Sequence, residues 1–186
     1  MEATYIDKHF DLVVECKKGE RKAHHDLYRL YSKAMYNVAL RILNQTDEAE
    51  DALQDAFMEA FTKIKDFRQE TTFGLWLKQI VVHKSINILR KRRAVFEDLE
   101  GLDVEVVTDY NWEDEEEIGY KIAEVKNSIT LLPEGYRLVL SLYLLEGYDH
   151  EEISQILKIS EGTSRTQFLR AKRKLLDILK IKGIER

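Results

Sequence analysis

Basic, hydroxyl and apolar side chains recur at helical spacing near the end of the chain, in a combination that suits contact with duplex DNA. An arginine can bond two acceptors on guanine, and a threonine offers a base edge a hydroxyl or a methyl group. Further cations on the same helix suit phosphates. The candidates for base contact, which we call the recognition surface, are Arg165, Thr166, Leu169 and Arg170. The candidates for phosphate contact are Lys172, Arg173 and Lys174.

A preceding helix must hold the recognition surface in place. Asp149 and Glu152 have the spacing of a capping box, in which each side chain accepts a hydrogen bond from the other residue's backbone amide. Ser160 has the residue type of a second N-cap, so a tight turn joins two helices. This order predicts a helix-turn-helix whose second helix enters a major groove. From this segment alone, the alternative is an ordinary helical hairpin with solvated charges.

Another polar and basic group lies in the middle of the chain. It combines a loop, residues 67–72, with the polar face of a helix predicted from Phe73 to about Arg93. Such side chains suit a surface that follows one nucleic-acid strand and stacks or pockets its bases. The candidates are Phe67, Arg68, Thr71, Thr72, Lys78, Gln79, His83, Lys84, Asn87 and Arg90. Trp76 and Phe73 have core spacing, and we expect the helix to bury Trp76, Leu77, Ile80 and Val81.

An acidic helix is predicted before that loop. Asp47 and Glu50 have capping-box spacing and predict a helix that continues to about Lys65. One face is an apolar stripe that suits a core. The opposite face carries Glu48, Asp51, Asp55 and Glu59. Solvation is the usual explanation of such a face.

The composition predicts that these surfaces belong to an almost wholly helical protein. The chain has 186 residues, 44% of them hydrophobic, with one proline and eight glycines, and helices tolerate few of these two residues. Two earlier helices are predicted, from Asp7 to about Lys18 and from about Lys22 to Leu43. We expect an all-α fold with two helical domains: a four-helix N-terminal domain over residues 1–93 and a C-terminal helix-turn-helix domain over residues 119–186.

Charge divides the chain into three segments. Residues 1–93 carry 17 basic and 14 acidic side chains, residues 94–118 carry none and 11, and residues 119–186 carry 12 and 9. The net charge of −5 therefore hides two mildly basic segments, and the local field matters more than the total for attracting a polyanion. We interpret residues 94–118 as an acidic linker, because like charges keep a chain extended.

Two further hypotheses concern the linker. Its apolar residues could form a short strand or anchor it to a domain or partner, and its carboxylates could cover the basic surfaces and so inhibit the protein. The apolar residues are Val104, Val106, Val107, Tyr110 and Trp112.

Several functional classes are not expected. The sequence has no glycine-rich phosphate loop or nucleophile elbow, and its five histidines have no metal-ligand spacing, so we expect no catalytic residue, metal or cofactor. Cys16 is a single cysteine, expected to be buried, and fits a reducing cytoplasm. The chain has no apolar run of about 18 residues or more and no signal-peptide core, so we expect a cytoplasmic protein without membrane insertion.

The whole chain resembles the extracytoplasmic-function (ECF) sigma factors of the sigma-70 family. Their region 2 is similar to DEAEDALQDAF at residues 47–57, FR at 67–68, TFGLWLKQI at 72–80 and NILRKRR at 87–93. Their region 4 is similar to LLPEGYR at residues 131–137, EEIS at 151–154 and ISEGT at 159–163.

The resemblance implies a subunit that binds core RNA polymerase and directs it to promoter DNA. The acidic helix would dock on the polymerase, and the residues that the resemblance assigns to this docking face are Glu48, Asp51, Gln54 and Asp55. The candidates at residues 67–90 would capture the melted minus-ten strand, and the recognition surface would contact the minus-thirty-five duplex. The resemblance also implies that an anti-sigma factor can bind this chain.

The chain departs from the family pattern at three positions. His83 stands where many members have asparagine, Lys158 where a glycine commonly ends a helix, and Ser164 where valine is usual on the inner face. The lost apolar burial at Ser164 is expected to alter the tilt of its helix.

Two other readings of the function stay open on the residues alone. One is a stand-alone transcription regulator whose N-terminal domain senses a signal or dimerises. The other is a helical scaffold, which would show no salt-dependent DNA binding.

Overall fold

The structure, a computed structural model, describes the backbone of residues 7–97 and 117–183 and the side chains of residues 7–92 and 123–183. Every regular element within these ranges is helical, which confirms the all-α prediction. The chain divides into two compact units, residues 1–102 and 103–186.

The first unit contains four helices: α1 (Phe10–Lys17), α2 (Arg21–Leu43), α3 (Thr46–Lys63) and α4 (Phe73–Glu97), with a short 3₁₀ turn at Ile64–Asp66. The helices α2, α3 and α4 pack against each other, and α1 packs on α2. Four alanines of α3 are fully buried and allow close approach of its neighbours; they are Ala49, Ala52, Ala56 and Ala60. Cys16 is buried as expected, and burial raises the pKa of its thiol to about 11.

The predicted capping box at Asp47 and Glu50 is wrong. The helix α3 begins at Thr46, its N-cap is Gln45, and no side chain caps it. Asp47 therefore lies inside the first turn, where its negative charge still suits the positive end of the helix dipole. The spacing alone could not distinguish an acidic cap from an acidic first turn.

The start of one helix and the burial of two side chains also differ from the predictions. The helix α1 begins at Phe10 rather than Asp7, whose side chain accepts hydrogen bonds instead. Trp76 and Ile80 are half-buried, because the buried stripe of α4 runs along a neighbouring row of the helix. The stripe includes Phe73, Leu77, Val81, Val82, Ile86 and Leu89.

The helix α4 continues to Glu97, past the predicted end near Arg93, since no glycine or proline interrupts it. The hypotheses of a strand, an anchor or an inhibitory cover concern linker residues that lie outside the described ranges.

The second unit contains α5 (Glu117–Thr130), α6 (Glu134–Leu144), α7 (His150–Leu157) and α8 (Glu161–Ile181). Its core includes Ile129, Leu132, Leu140 and Ala171, with partly buried neighbours such as Phe168 packed against it. The helices α7 and α8 pack on each other and are joined by a short turn at residues 158–160. This arrangement matches the predicted helix-turn-helix.

Candidate nucleic-acid interfaces

Local hydrogen bonds define both helix starts of the helix-turn-helix. The Asp149 carboxylate accepts from the Glu152 amide at 2.8 Å, and the Glu152 carboxylate accepts from the Asp149 amide at 2.9 Å. The Ser160 hydroxyl oxygen accepts from the Thr163 amide at 3.0 Å. Both predicted caps are confirmed. Lys158 ends α7 with φ 56°, so the turn reaches the left-handed region without glycine, at a cost of about 1 kcal/mol.

The inner face of α8 contains a buried polar contact that sequence reasoning missed. Ser164 is fully buried, and its Oγ shares a 2.9 Å hydrogen bond with Nδ1 of His150. The His150 ring stacks on Tyr143 with centroids 4.6 Å apart and meets Phe168 edge to face. The hydroxyl that departs from the family pattern therefore has a partner, and the pair links the start of α7 to α8.

The outer face of α8 presents the whole recognition surface to solvent. Its four residues are exposed, and Leu169 is 64% exposed. The Arg165 guanidinium donates to the Glu161 carboxylate one turn earlier, including a 3.1 Å bond from Nε. The Thr166 hydroxyl donates to the Gly162 carbonyl at 2.9 Å. An exposed ion pair contributes little stability, so Arg165 can leave the Glu161 carboxylate and bind a base edge instead.

The candidate phosphate contacts follow on the same helix. Lys172, Arg173 and Lys174 are exposed, and the Lys172 ammonium lies 5.6 Å from the centroid of the Phe168 ring. Cations distributed around one end of the recognition surface can meet phosphates on both sides of a groove.

The 67–72 loop places its candidates in different environments. The Phe67 ring is only 5% exposed and lies against Phe73 and Trp76, with centroids 6.0 and 5.0 Å away. The Phe67 ring is therefore a core group in this structure and does not face solvent for stacking. Arg68 is exposed, Thr71 and Thr72 are half-buried, and the Thr72 hydroxyl accepts from the Leu75 amide at 3.3 Å.

A groove runs along the polar face of α4. Its volume is about 310 Å³, and its lining is formed by Glu59, Trp76, Gln79, Ile80, His83, Lys84 and Asn87. Four of these residues were predicted as strand contacts, whereas Glu59, Trp76 and Ile80 were not. The helical spacing of Trp76, Ile80, His83 and Asn87 was the signal that could have placed the aromatic and apolar groups beside the polar ones.

Charge at the groove is partly neutralised by one carboxylate. Glu59 accepts from Lys63 at 2.7 Å and pairs with Lys84 at 2.8 Å. These hydrogen bonds, from Lys63 first and then Lys84, lower the pKa of Glu59 to about 2, and the bond to Glu59 raises the pKa of Lys84. A carboxylate at this edge disfavours a phosphate there, so the groove suits an uncharged base better than the backbone.

Lys78 and Arg90 are two further residues of α4 that were predicted to contact the strand. Lys78 is half-buried, and Arg90 donates to the side-chain oxygen of Asn87 at 3.3 Å. The side chains of Gln79, His83 and Asn87 are exposed on the same face.

The candidate docking face divides into an exposed part and a bound part. Asp51, Gln54 and Asp55 are exposed on α3. Glu48 instead accepts from Arg92 at 3.0 Å and ties α3 to α4. Met58 is 70% exposed one turn after Gln54 and Asp55. Sequence reasoning missed this apolar group, although its helical spacing from Gln54 placed it on the same face.

The described residues offer neither a metal-binding cluster nor a helix suited to span a membrane. No group of three or more potential metal-ligating side chains occurs among them. None of the helices described is both long and apolar enough to cross a bilayer.

Two family models match the chain: Sigma-70 region 2 over residues 27–95, and Sigma-70, region 4, over residues 122–175. The chain is similar to the ECF RNA polymerase sigma factor SigW of Bacillus subtilis, with 28% identity over 172 residues that cover 88% of this chain and 92% of that protein. It is also similar to the ECF RNA polymerase sigma-E factor of Haemophilus influenzae, with 29% identity over 87% of this chain and 89% of that protein.

Solved structures share the fold. The sigma factor RpoE from Bartonella quintana, in complex with the anti-sigma factor NepR, gives a TM-score of 0.61 at 23% identity, over 84% of this chain and 96% of that chain. CnrH in complex with the cytosolic domain of CnrY gives a TM-score of 0.53 at 23% identity, over 91% and 96%.

Proposed function

The chain belongs to the ECF group of the sigma-70 family, and from this membership we propose which of its surfaces acts in each step of transcription initiation. It is an RNA polymerase sigma factor: it binds core RNA polymerase and directs the enzyme to promoters. In the proposal, the chain contributes recognition and positioning, while the polymerase carries out the chemistry in the cytoplasm.

The docking face of α3 binds the polymerase in this proposal. Asp51, Gln54 and Asp55 offer exposed carboxylate and amide oxygens, and Met58 adds an exposed apolar contact beside them. Charged groups at the rim guide association, and a buried apolar group contributes contact area. Glu48 has a structural role instead, because its ion pair with Arg92 links α3 to α4.

The recognition surface contacts the minus-thirty-five duplex. Arg165 and Arg170 are assigned to guanine acceptors, Thr166 and Leu169 to base edges and thymine methyl groups. Lys172, Arg173 and Lys174 bind phosphates and set the orientation of α8. The two N-caps and the His150–Ser164 pair support this role, because they hold α8 against α7 before any DNA arrives.

The polar face of α4 and the 67–72 loop hold the melted minus-ten strand. Opening a duplex costs a few kcal/mol for each unstacked base, whereas stacking a base on a protein group returns about 1–3 kcal/mol. The α4 groove offers Trp76 and His83 for stacking and Gln79 and Asn87 for hydrogen bonds. The exposed Arg68 and the basic residues of α4 supply contacts to the strand backbone.

The observation that carries the proposal is the presence of both family regions in one chain, at residues 27–95 and 122–175. A stand-alone regulator requires only the second region, so the first disfavours that alternative. An anti-sigma factor is a further proposed partner, since the similar structure of RpoE was solved with the anti-sigma factor NepR bound, and that of CnrH with the cytosolic domain of CnrY bound.

Run-off transcription with purified core polymerase tests the function. On a promoter library, start-site-specific transcripts should appear only when the chain is added. Asp55→Arg should weaken core binding by at least about tenfold, whereas Asp11→Arg, a charge reversal at an exposed position of α1, should not. Operator binding by the chain alone, without any chain-dependent transcript, would instead indicate an ordinary repressor or activator.

A further inference from the structure

Two side chains from the N-terminal segment bind the two ends of the 67–72 loop. The Asp7 carboxylate accepts from the Phe73 amide at 2.7 Å, immediately after the loop. The Lys17 ammonium donates to the Phe67 carbonyl at 2.7 Å, where the loop begins. These bonds span 66 and 50 positions of sequence. Both ends of the loop are therefore held from the region of α1: Asp7 lies just before this helix, and Lys17 is its last residue.

Asp7 acts as a long-range cap of α4. Phe73 is the first residue of α4, so its amide has no acceptor within the helix. A carboxylate at this end also meets the positive end of the helix dipole. The other Asp7 oxygen accepts from the His9 amide at 3.0 Å, which fixes the carboxylate relative to α1. Asp7 thus connects the start of α1 to the start of α4.

Lys17 holds the other end through two contacts. Besides its bond to the Phe67 carbonyl, the ammonium lies 5.6 Å from the centroid of the Phe67 ring. The ring itself is buried against Phe73 and Trp76. Lys17 therefore fixes both the backbone and the side chain of the first loop residue.

Three residues between these anchors have exposed side chains, and one of the three has an unfavourable backbone conformation. Arg68, Gln69 and Glu70 are exposed, and Gln69 has φ 62°. A residue other than glycine reaches this left-handed region only when its surroundings favour it. A loop held in one conformation loses less entropy when it binds a ligand than a loop that must first be ordered.

We propose that Asp7 and Lys17 are positioning residues that pre-organise the 67–72 loop for capture of the unpaired promoter strand. This inference rests on the proposed function and extends it to α1 and the residues just before it, which contribute to none of the interfaces assigned above. Asp7 and Lys17 act through the loop and do not touch the strand.

The test compares anchor variants with conservative and neighbouring variants in the full chain bound to core polymerase. Asp7→Ala and Lys17→Met remove the bonds, whereas Asp7→Asn keeps an acceptor and Lys17→Arg keeps a donor. Asp11→Asn and Lys18→Met remove charges from exposed neighbours on or beside α1. The probe is a fluorescent single-stranded oligonucleotide with the minus-ten sequence of a promoter mapped with the unsubstituted chain.

Asp7→Ala and Lys17→Met should each weaken binding of the single strand by about 3- to 10-fold. The conservative variants and the neighbouring variants should stay within about twofold of the unsubstituted chain. Binding of a duplex with the minus-thirty-five sequence should not change. The Asp7→Ala result is the more telling, because removing a negative charge would by itself strengthen binding of a polyanion.

Thermal unfolding of each variant separates positioning from stability. If Asp7→Ala and Lys17→Met unfold at lower temperature but bind the single strand as well as the unsubstituted chain does at a temperature where both are folded, the inference is overturned. The same holds if Lys18→Met weakens binding as much as Lys17→Met. Failure of the unsubstituted chain to initiate at promoters would reject the proposed function itself, which is a distinguishable result.

Discussion

The two candidate DNA-contacting regions are held in place by different kinds of contact. In the helix-turn-helix, each cap joins residues three positions apart: Asp149 with Glu152, and Ser160 with Thr163. At the 67–72 loop, the anchoring bonds come from Asp7 and Lys17, far away in sequence. The first region is thus specified largely by its own sequence, whereas the second depends on the assembled N-terminal unit. Local and tertiary anchoring should respond differently to substitution.

The largest expected effect concerns the aromatic cluster around Phe73, a tertiary contact that holds the end of the 67–72 loop. Phe73→Ala removes a fully buried ring that lies against Tyr31, Phe67 and Trp76, and should destabilise the N-terminal unit by about 3–5 kcal/mol. Leu75→Ala, on the exposed side of the same turn, should cost far less. Urea unfolding monitored by hydrogen exchange measures the loss of stability in both variants. Equal costs would mean that the aromatic cluster does not anchor the loop.

A second substitution tests the recognition surface that the local caps position. Arg165→Ala should cost about 1–3 kcal/mol of discrimination between matched and mismatched minus-thirty-five sequences. Lys174→Ala should weaken binding to all sequences about equally, because a phosphate contact carries no sequence information. The measurement is competition binding of holoenzyme to duplex probes. A uniform loss with Arg165→Ala would remove the assignment of that residue to a base.

The local cap itself should have a smaller effect. Asp149→Ala removes the carboxylate that accepts from the Glu152 amide, keeps the backbone amide that donates to the Glu152 carboxylate, and should destabilise the C-terminal unit by about 1 kcal/mol. Glu151→Ala, an exposed acid in the same turn, is the matched control and should cost a few tenths of a kcal/mol at most. Denaturant unfolding measures both changes. If the two variants are equally stable, α7 does not depend on its local cap.

The smallest expected effect comes from Glu59, which combines both kinds of contact. It pairs with Lys63 one turn away and with Lys84 on another helix. Its pKa lies at about 2, below the ordinary 4.5, so its contribution is present above pH 4.5 and is lost as the pH falls toward 2. The contribution should stay below about 1 kcal/mol, since the side chain is partly exposed.

Unfolding at a series of pH values, with Glu59→Gln as reference, checks this expectation. Lys63→Met and Lys84→Met then apportion the effect between the local and the tertiary pair. A stability difference between the unsubstituted chain and Glu59→Gln that does not shrink on acidification would contradict the assigned pKa.

The contrast also explains what could be predicted from the sequence. Helix periodicity and the short-range caps at Asp149 and Ser160 are encoded within a few residues, so the helix-turn-helix and its exposed outer face were predictable. Spacing could not show that Phe67 points into the core, because its burial depends on partners from α4 and α1. Nor could spacing separate a cap at Asp47 from a first-turn acid, or reveal that Asp7 caps a helix 66 residues later.

The hydrogen bond between His150 and Ser164 limits how freely this DNA-binding helix can be exchanged between relatives. An engineer who transplants α8 alone into a protein with an apolar residue at the position of His150 would carry over a hydroxyl that has lost its acceptor or donor. Such an unmatched buried group costs about 1–3 kcal/mol. A chimera with altered promoter preference should therefore inherit the imidazole and the hydroxyl together, as one unit of exchange.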